Sequence, residues 1–165
     1  MEDTIGLVFE DLVDLAFQME TNGAAFYRKA AERSSDPETR RVLAELQGME
    51  EEHARLWAGV KVQLGGSEPI ARAADEMASE YLRTWLSGVA FDRSPEQVAA
   101  IAEGGSVPEI LRVAIGLEKE TIAFYAGLRM LVADERVLER LDWMTKEELQ
   151  HVAELSGALR SLTEA

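Results

Sequence analysis

The chain contains two histidines, and each follows one glutamate by three residues and another by 33. The residues of this pattern are Glu20, Glu50, His53, Glu118, Glu148 and His151. Side chains three residues apart share one face of a helix, so each Glu-x-x-His pair can address a single site. Four carboxylates and two imidazoles suit iron or manganese better than the closed tetrahedral sites of structural zinc. We predict that these six candidate ligands bind two metal ions.

All four glutamates of this pattern lie on apolar helical stripes. Around Glu20, for example, Leu12, Ala16 and Tyr27 fall on the same side of a helical wheel. Moving an ionised carboxylate out of water costs several kcal/mol, so four that face one another need positive charge nearby. Lysine and arginine avoid the stripe centres near these positions, whereas two divalent cations would balance the four carboxylates. Bridging carboxylates would hold the two ions about 3.5 to 4 Å apart, as in two-metal catalytic sites.

The composition limits the partners and the location that we expect. A formal net charge of -14 disfavours nucleic acid or an anionic membrane surface as a partner. The absence of cysteine excludes disulfides, thiol catalysis and cysteine-ligated iron centres. No apolar stretch approaches the roughly 18 residues of a membrane span, and the acidic start Met1-Glu2-Asp3 is unlike a signal peptide. We therefore expect a soluble, cytoplasmic protein with no nucleic-acid or membrane partner.

Prolines and their neighbours divide the chain into helices. Asp36 before Pro37 and Ser94 before Pro95 are typical of an N-cap followed by a proline at the first helical position. The segments between such signals are rich in Ala, Leu, Glu and Arg. They predict long helices near 4–34, 37–64, 107–132 and 135–162, with one or two shorter helices within 69–103.

The second half of the chain repeats the first. A shift of 98 positions aligns nine identical residues within 38 positions without a gap. Each copy is predicted to be a helical hairpin with a very short turn. The 41 residues between the copies could return the chain along a bundle about 45 Å tall. We predict an all-α, single-domain fold over 1–165, a four-helix bundle of hairpins 4–64 and 106–162 joined by a long helical crossover at 65–105.

Tyr27 and Tyr125 are candidate catalytic residues. Each lies seven residues after a candidate ligand, Glu20 or Glu118, and so two helical turns along the same face. A phenol at that place can hydrogen-bond a ligand carboxylate and can donate a proton or an electron. The alternative interpretation is a core tyrosine whose hydroxyl is satisfied by an ordinary hydrogen bond.

The two hairpins resemble the rubrerythrin-like branch of the ferritin-like superfamily. Each hairpin of that group has a glutamate, six residues, a tyrosine, and then Glu-x-x-His on the next helix, as both halves of this chain do. The six candidate ligands match the family's ligand positions, and Tyr27 matches a tyrosine close to the metals. The resemblance implies a ferritin-like fold, two iron ions with manganese or zinc as alternative occupants, and a reaction with peroxide or dioxygen. Related proteins are commonly homodimers, which implies a homodimer here.

Two features depart from full-length rubrerythrins. Those proteins add a rubredoxin domain with iron held by four cysteines, which this chain cannot build, so we expect an external electron donor. They also carry a glutamate three residues after the third-helix ligand, where this chain has Thr121. Glu120 lies about 200° from Glu118 around the helix and cannot replace it. The site is therefore closer to that of six-ligand carboxylate proteins.

These observations favour a di-iron oxidoreductase that reduces peroxide or oxidises Fe(II). A second interpretation is a non-catalytic protein that binds iron with the same ligands and delivers it to a partner. A third is a structural bundle whose glutamates are vestigial and protonated. Metal-dependent turnover would favour the first interpretation. Stoichiometric metal without turnover would favour the second, and the absence of bound metal would favour the third.

Overall fold

The computed structural model describes residues 9–64 and 76–163. Over those residues the regular structure consists of six helices without a β-strand, which confirms the all-α prediction. They are α1 (Phe9–Arg33), α2 (Pro37–Leu64), α3 (Glu76–Leu86), α4 (Pro95–Gly104), α5 (Val107–Leu131) and α6 (Glu135–Thr163). The predicted first turn from residue 4 and the predicted start of the crossover helices near 69 lie outside the described residues. No described helix is both long and apolar enough to cross a lipid bilayer.

The caps at the helix starts explain where α2 and α4 begin. The Ser94 hydroxyl accepts a hydrogen bond from the backbone N–H of Gln97 at 3.3 Å, and the Gln97 side chain accepts one from the Ser94 N–H at 2.8 Å. This reciprocal pair is a complete capping box. At the start of α2, the Asp36 carboxylate accepts from the backbone N–H of Thr39 at 2.7 Å. The connection from α1 to α2 is therefore limited to residues 34–36.

The long helices form two hairpins that pack on each other within one chain. Helix α1 packs along α2, and α5 packs along α6. The hairpins meet through contacts of α1 with α5 and of α2 with α6. The crossover helices α3 and α4 both contact α1 and α5, so they cover that side of the bundle. This arrangement confirms the predicted bundle of two hairpins with a helical crossover.

The bundle interior contains two separate apolar clusters. One includes Leu12 and Trp57, and the other includes Phe26 and Leu46. On each of the four long helices, the candidate ligands fall between the residues of one cluster and those of the other. The apolar clusters therefore hold the four helices together on both sides of a polar layer, which fixes the positions of the candidate ligands.

Candidate metal centre

All six candidate ligands are buried in this polar layer, and each residue is between 0% and 3% exposed. Helix α1 provides Glu20, α2 provides Glu50 and His53, α5 provides Glu118, and α6 provides Glu148 and His151. The ion pairs of Lys29, Arg41, Lys61 and Arg129 are made with other carboxylates, nearer the surface. These basic residues therefore leave the buried carboxylates to be balanced by other positive charge.

The six side chains form two overlapping groups of four. Within each group, one ligand atom per residue lies within 4.8 Å of the others. The groups are Glu20, Glu50, His53 and Glu148, and Glu50, Glu118, Glu148 and His151. Glu50 and Glu148 belong to both groups, so they are positioned to bridge two cations. Each hairpin adds one further glutamate and one histidine, which gives the cluster a near-twofold symmetry that follows the sequence repeat.

The same nitrogen of both histidines faces the carboxylates. His53 Nδ1 lies 2.9 Å from Glu148 Oε1 and 3.6 Å from Glu20 Oε2. His151 Nδ1 lies 2.9 Å from Glu148 Oε2 and 3.3 Å from Glu50 Oε1. The two rings are stacked with their centroids 5.9 Å apart. Both imidazoles are therefore directed at the shared carboxylate of Glu148.

Several buried polar atoms of the cluster have no hydrogen-bond partner among the described residues. They are Glu20 Oε2, Glu50 Oε1, His53 Nδ1 and Nε2, both carboxylate oxygens of Glu148, and His151 Nδ1. The close approaches of the histidines to Glu148 are thus not aligned as hydrogen bonds. A buried polar atom without a partner costs about 1 to 3 kcal/mol. Coordination of two cations would satisfy these atoms, so the donor set fits a two-metal centre.

In the absence of a bound cation, part of the cluster retains protons at neutral pH. Burial and the neighbouring charge of Glu118 raise the pKa of Glu50 well above its usual range. Burial likewise raises the pKa of Glu118 to about 8. For His53, burial favours the neutral ring, but contacts with Glu148 and Glu20 outweigh it and raise the pKa to about 9. Metal binding must displace these protons.

His151 and Glu148 form the most strongly ionised pair of the cluster. Burial favours the neutral ring of His151, but contacts with Glu118, Glu148 and Glu50 raise its pKa to about 12. Burial also opposes ionisation of Glu148, yet contacts with His151 and His53 lower its pKa to about 2. Protonated imidazoles therefore supply positive charge to the carboxylates, and they must become neutral before they can coordinate a metal.

The two candidate catalytic tyrosines are buried, and each hydrogen-bonds a glutamate of the opposite hairpin. The Tyr27 hydroxyl donates to Glu118 Oε1, and the Tyr125 hydroxyl donates to Glu20 Oε1. Burial and the nearby carboxylates raise the pKa of both phenols well above the usual value. Both hydroxyls therefore keep their protons at neutral pH and remain hydrogen-bond donors to the carboxylates.

Beyond the tyrosines, the two sides of the cluster differ. The indole N–H of the fully buried Trp57 donates to the Tyr125 hydroxyl at 2.7 Å. On the other side, a cavity of about 620 Å³ lies between α1, α5 and the crossover, and its lining includes Tyr27, Glu50 and Glu118. One side of the cluster is therefore reached from a cavity, while the other is packed against aromatic side chains.

Two further residues contact the histidines, and the ligand pattern gave no sign of either. The Met49 sulfur lies 3.1 Å from His151 Nε2. The Trp143 ring packs edge-on against the His53 ring with centroids 5.6 Å apart, and its side chain is 42% exposed. Trp143 lies off the apolar stripe of its helix, and the packing of α2 against α6 brings both residues to the histidines.

Thr121, at the position of the additional rubrerythrin glutamate, and its neighbour Glu120 do not join the cluster. Thr121 is buried and lines the cavity. The Glu120 carboxylate accepts a hydrogen bond from the backbone N–H of Asp92 at 2.9 Å, in the connection between α3 and α4. Glu120 therefore holds the crossover against α5, in keeping with its position on the helical wheel.

Comparisons with known proteins bear on the fold. Neither the protein-family models nor the curated proteins include a match to this chain. Among solved structures, it is similar to a protein from Thermotoga maritima whose name describes it as ferritin-like and diiron-carboxylate. The two chains are 18% identical, and the match covers 93% of this chain and 95% of the other with a TM-score of 0.69. The chain therefore has the ferritin-like helical-bundle fold.

Proposed function

We propose that this protein is a non-haem di-iron oxidoreductase that reduces peroxide or oxidises Fe(II). The observation that carries the proposal is the set of partnerless buried oxygens and nitrogens, arranged in two groups that share two carboxylates. The proposed metal ligands are Glu20, Glu50, His53, Glu118, Glu148 and His151. The ferritin-like fold supports the proposal, since the similar Thermotoga protein is described as a diiron-carboxylate protein.

The side chains around such a centre would have different roles. Two bound iron ions would supply the electron transfer to peroxide or dioxygen. Glu50 and Glu148, which belong to both groups, would help to hold both ions. Trp57 and Tyr125 are buried against each other and close one side of the cluster. On the cavity side, the Tyr27 hydroxyl holds Glu118 and keeps a proton next to any molecule bound there. Peroxide reduction to water consumes protons, and Tyr27 is positioned to pass one.

Repeated turnover needs a source of electrons outside the protein. Reduction of one peroxide to two waters takes two electrons and two protons. The chain has no cysteine to build an iron–sulfur or rubredoxin-type centre, so an external electron donor completes the proposal. A cytoplasmic location and a homodimeric assembly stay predictions from the sequence.

Anaerobic loading with Fe(II) followed by one equivalent of peroxide tests the proposed function. We expect two iron ions per chain and oxidation at least about tenfold faster than that of free Fe(II), with absorption typical of an oxo-bridged ferric pair. Glu51→Gln is the matched control, because Glu51 is exposed beside Glu50. Two bound irons that do not react would contradict the enzyme and would indicate the iron-binding and delivery function instead.

The asymmetry of the two sides predicts unequal effects of removing the two phenols. Tyr27→Phe should slow the peroxide reaction about 10- to 100-fold while two metal ions stay bound, because it removes the hydroxyl beside Glu118 at the cavity. Tyr125→Phe should have a smaller effect on the rate, since its hydroxyl lies on the closed side with Trp57. Metal analysis and stopped-flow rates of the two variants check this, and equal rates would refute the asymmetry.

A further inference from the structure

The cavity beside the metal cluster has the volume of a pocket for an organic ligand. It has a volume of about 620 Å³ and lies between α1, α5 and the part of the crossover within 88–102. Pockets for small organic ligands measure about 300 to 1,000 Å³, whereas one water molecule needs only about 10 to 15 Å³. Peroxide and dioxygen are close to water in size. Neither of them requires a cavity of this volume.

The walls of the cavity are mainly apolar. Leu15 and Phe26 line it from α1, Phe91 and Val98 line it from the crossover, and Leu117 lines it from α5. Phe26 is buried, and the other four are partly buried. Apolar walls with a few polar groups at one end are the usual lining of a site for a small molecule. A ligand with an apolar body would therefore be favoured over water in this space.

Away from the metal cluster, the charged groups of the lining balance one another. Lys29 and Arg93 are basic, whereas Asp92 and Glu120 are acidic. Lys29 is also paired with Glu103 at 2.6 Å. This part of the lining thus offers no excess of either charge, and the two cluster glutamates at the inner end disfavour an anion. An ionised ligand would also lose its hydration in the apolar part of the cavity. Both features favour an uncharged ligand.

The inner end of the cavity adjoins the proposed metal ligands. Tyr27, Glu50 and Glu118 belong to its lining. Gly23 on α1 is part of the same wall, and a Cβ built there would stand 3.0 Å from Glu50 Oε2. That distance is tighter than an ordinary contact, so the glycine leaves room for the Glu50 carboxylate. One end of a molecule that fills the cavity would therefore lie next to the cluster.

We propose that this cavity binds an uncharged, mainly apolar organic molecule, with one end beside Tyr27 and Glu118. The size and lining of the cavity carry the binding, which does not require a bound metal. The role of the molecule as the substrate of the metal centre rests on the proposed function.

Binding to the metal-free protein tests the cavity by itself. The probe is the neutral fluorescent dye N-phenyl-1-naphthylamine, which becomes brighter in apolar surroundings. We expect saturable binding of one dye per chain. Octan-1-ol should displace the dye, whereas octanoate should need a concentration at least about tenfold higher, because its carboxylate would be desolvated. Absence of saturable dye binding, or equal displacement by the alcohol and the carboxylate, would overturn the proposal.

Two neighbouring alanines on α4 provide a variant and its matched control. Ala99 lines the cavity, whereas Ala100 is exposed on the same helix. Ala99→Phe should weaken dye binding about tenfold or more, a loss of about 1.4 kcal/mol, and Ala100→Phe should not. Gln18→Trp, at an exposed lining position of α1, should also weaken binding and serves if Ala99→Phe does not fold. Unchanged binding in the folded lining variants would refute the proposal.

Loading with Mn(II) separates this inference from the proposed function. Mn(II) held at Glu50 and Glu118 would speed the nuclear relaxation of octan-1-ol protons in the cavity. Enhanced relaxation that Ala99→Phe abolishes supports both the cavity ligand and the metal centre. Dye binding by a protein that takes up no Mn(II) supports the cavity and contradicts the metal centre. Bound Mn(II) without any enhancement contradicts the placement of the ligand beside the cluster.

Discussion

Glu148→Gln is expected to abolish the binding of the two metal ions per chain that we propose. Glu148 belongs to both four-residue groups, and both of its carboxylate oxygens are buried without a hydrogen-bond partner. Its oxygens also lie 2.9 Å from the Nδ1 atoms of His53 and His151. An amide has one neutral acceptor oxygen and an NH₂ group that only donates, so it cannot give one anionic oxygen to each of two cations. The rate of Fe(II) oxidation should fall at least about 100-fold.

The adjacent residue gives the control for this substitution. Glu147 is partly exposed, precedes Glu148 on α6, and belongs to neither group. Glu147→Gln should therefore retain two metal ions per chain and the full oxidation rate. Elemental analysis of the purified variants measures the metal content, and circular dichroism checks that each variant is folded. Retention of two ions by Glu148→Gln would contradict the shared-carboxylate arrangement.

The metal-free protein is expected to become less stable as the pH rises from about 6 to 9. Glu118 and His53 have raised pKa values, about 8 and about 9, so the folded chain holds protons that the unfolded chain releases. Stability falls with pH wherever the folded state binds more protons, by about 1.4 kcal/mol per pH unit for each extra proton. For a chain of this size, that corresponds to a fall in Tm of about 3 to 6 °C per pH unit.

Bound metal should reverse this dependence. Deprotonated ligands bind a cation more tightly, so the stabilisation by Mn(II) or Zn(II) should grow over the same pH range. Thermal unfolding followed by circular dichroism at pH 6, 7, 8 and 9, with and without metal, measures both trends. Glu118→Gln should flatten the metal-free profile, while Glu51→Gln at an exposed position should leave it unchanged. A metal-free Tm that is constant from pH 6 to 9 would refute the proposed protonation of the cluster.

The helices and hairpins could be predicted because their signals are local. Ser94 and Asp36 cap the helices that follow them, and the short turns leave adjacent helices no alternative to antiparallel packing. The repeat at an offset of 98 positions then indicated that the two hairpins are copies of one unit. The candidate ligands could be predicted for the same reason, because a Glu-x-x-His pair places two side chains on one helical face.

The finer geometry of the site depends on how the helices pack, and this packing cannot be predicted from the spacing of residues in the sequence. The spacing separates the glutamates three residues before a histidine from those 33 residues before it, but it does not show which are shared. The packing of α2 against α6 makes Glu50 and Glu148 the shared pair. The cavity forms because α4 and the residues before it lie over α1 and α5. Their placement follows from long-range contacts such as that of Asp92 with Glu120.

The exchange of phenol contacts between the hairpins has a consequence for how such a chain could arise. A hairpin alone would carry a tyrosine without the glutamate that accepts the hydrogen bond from its hydroxyl. Two identical hairpins related by a dyad would supply every donor and acceptor, so a self-associating ancestor could assemble this centre before tandem fusion. Fusion allows the two copies to diverge. Trp57 donates a hydrogen bond to the Tyr125 hydroxyl, whereas its counterpart in the second copy is Leu155, which cannot donate one. Covalent linkage thus permits the two sides of the cluster to differ, one closed by Trp57 and the other open to the cavity.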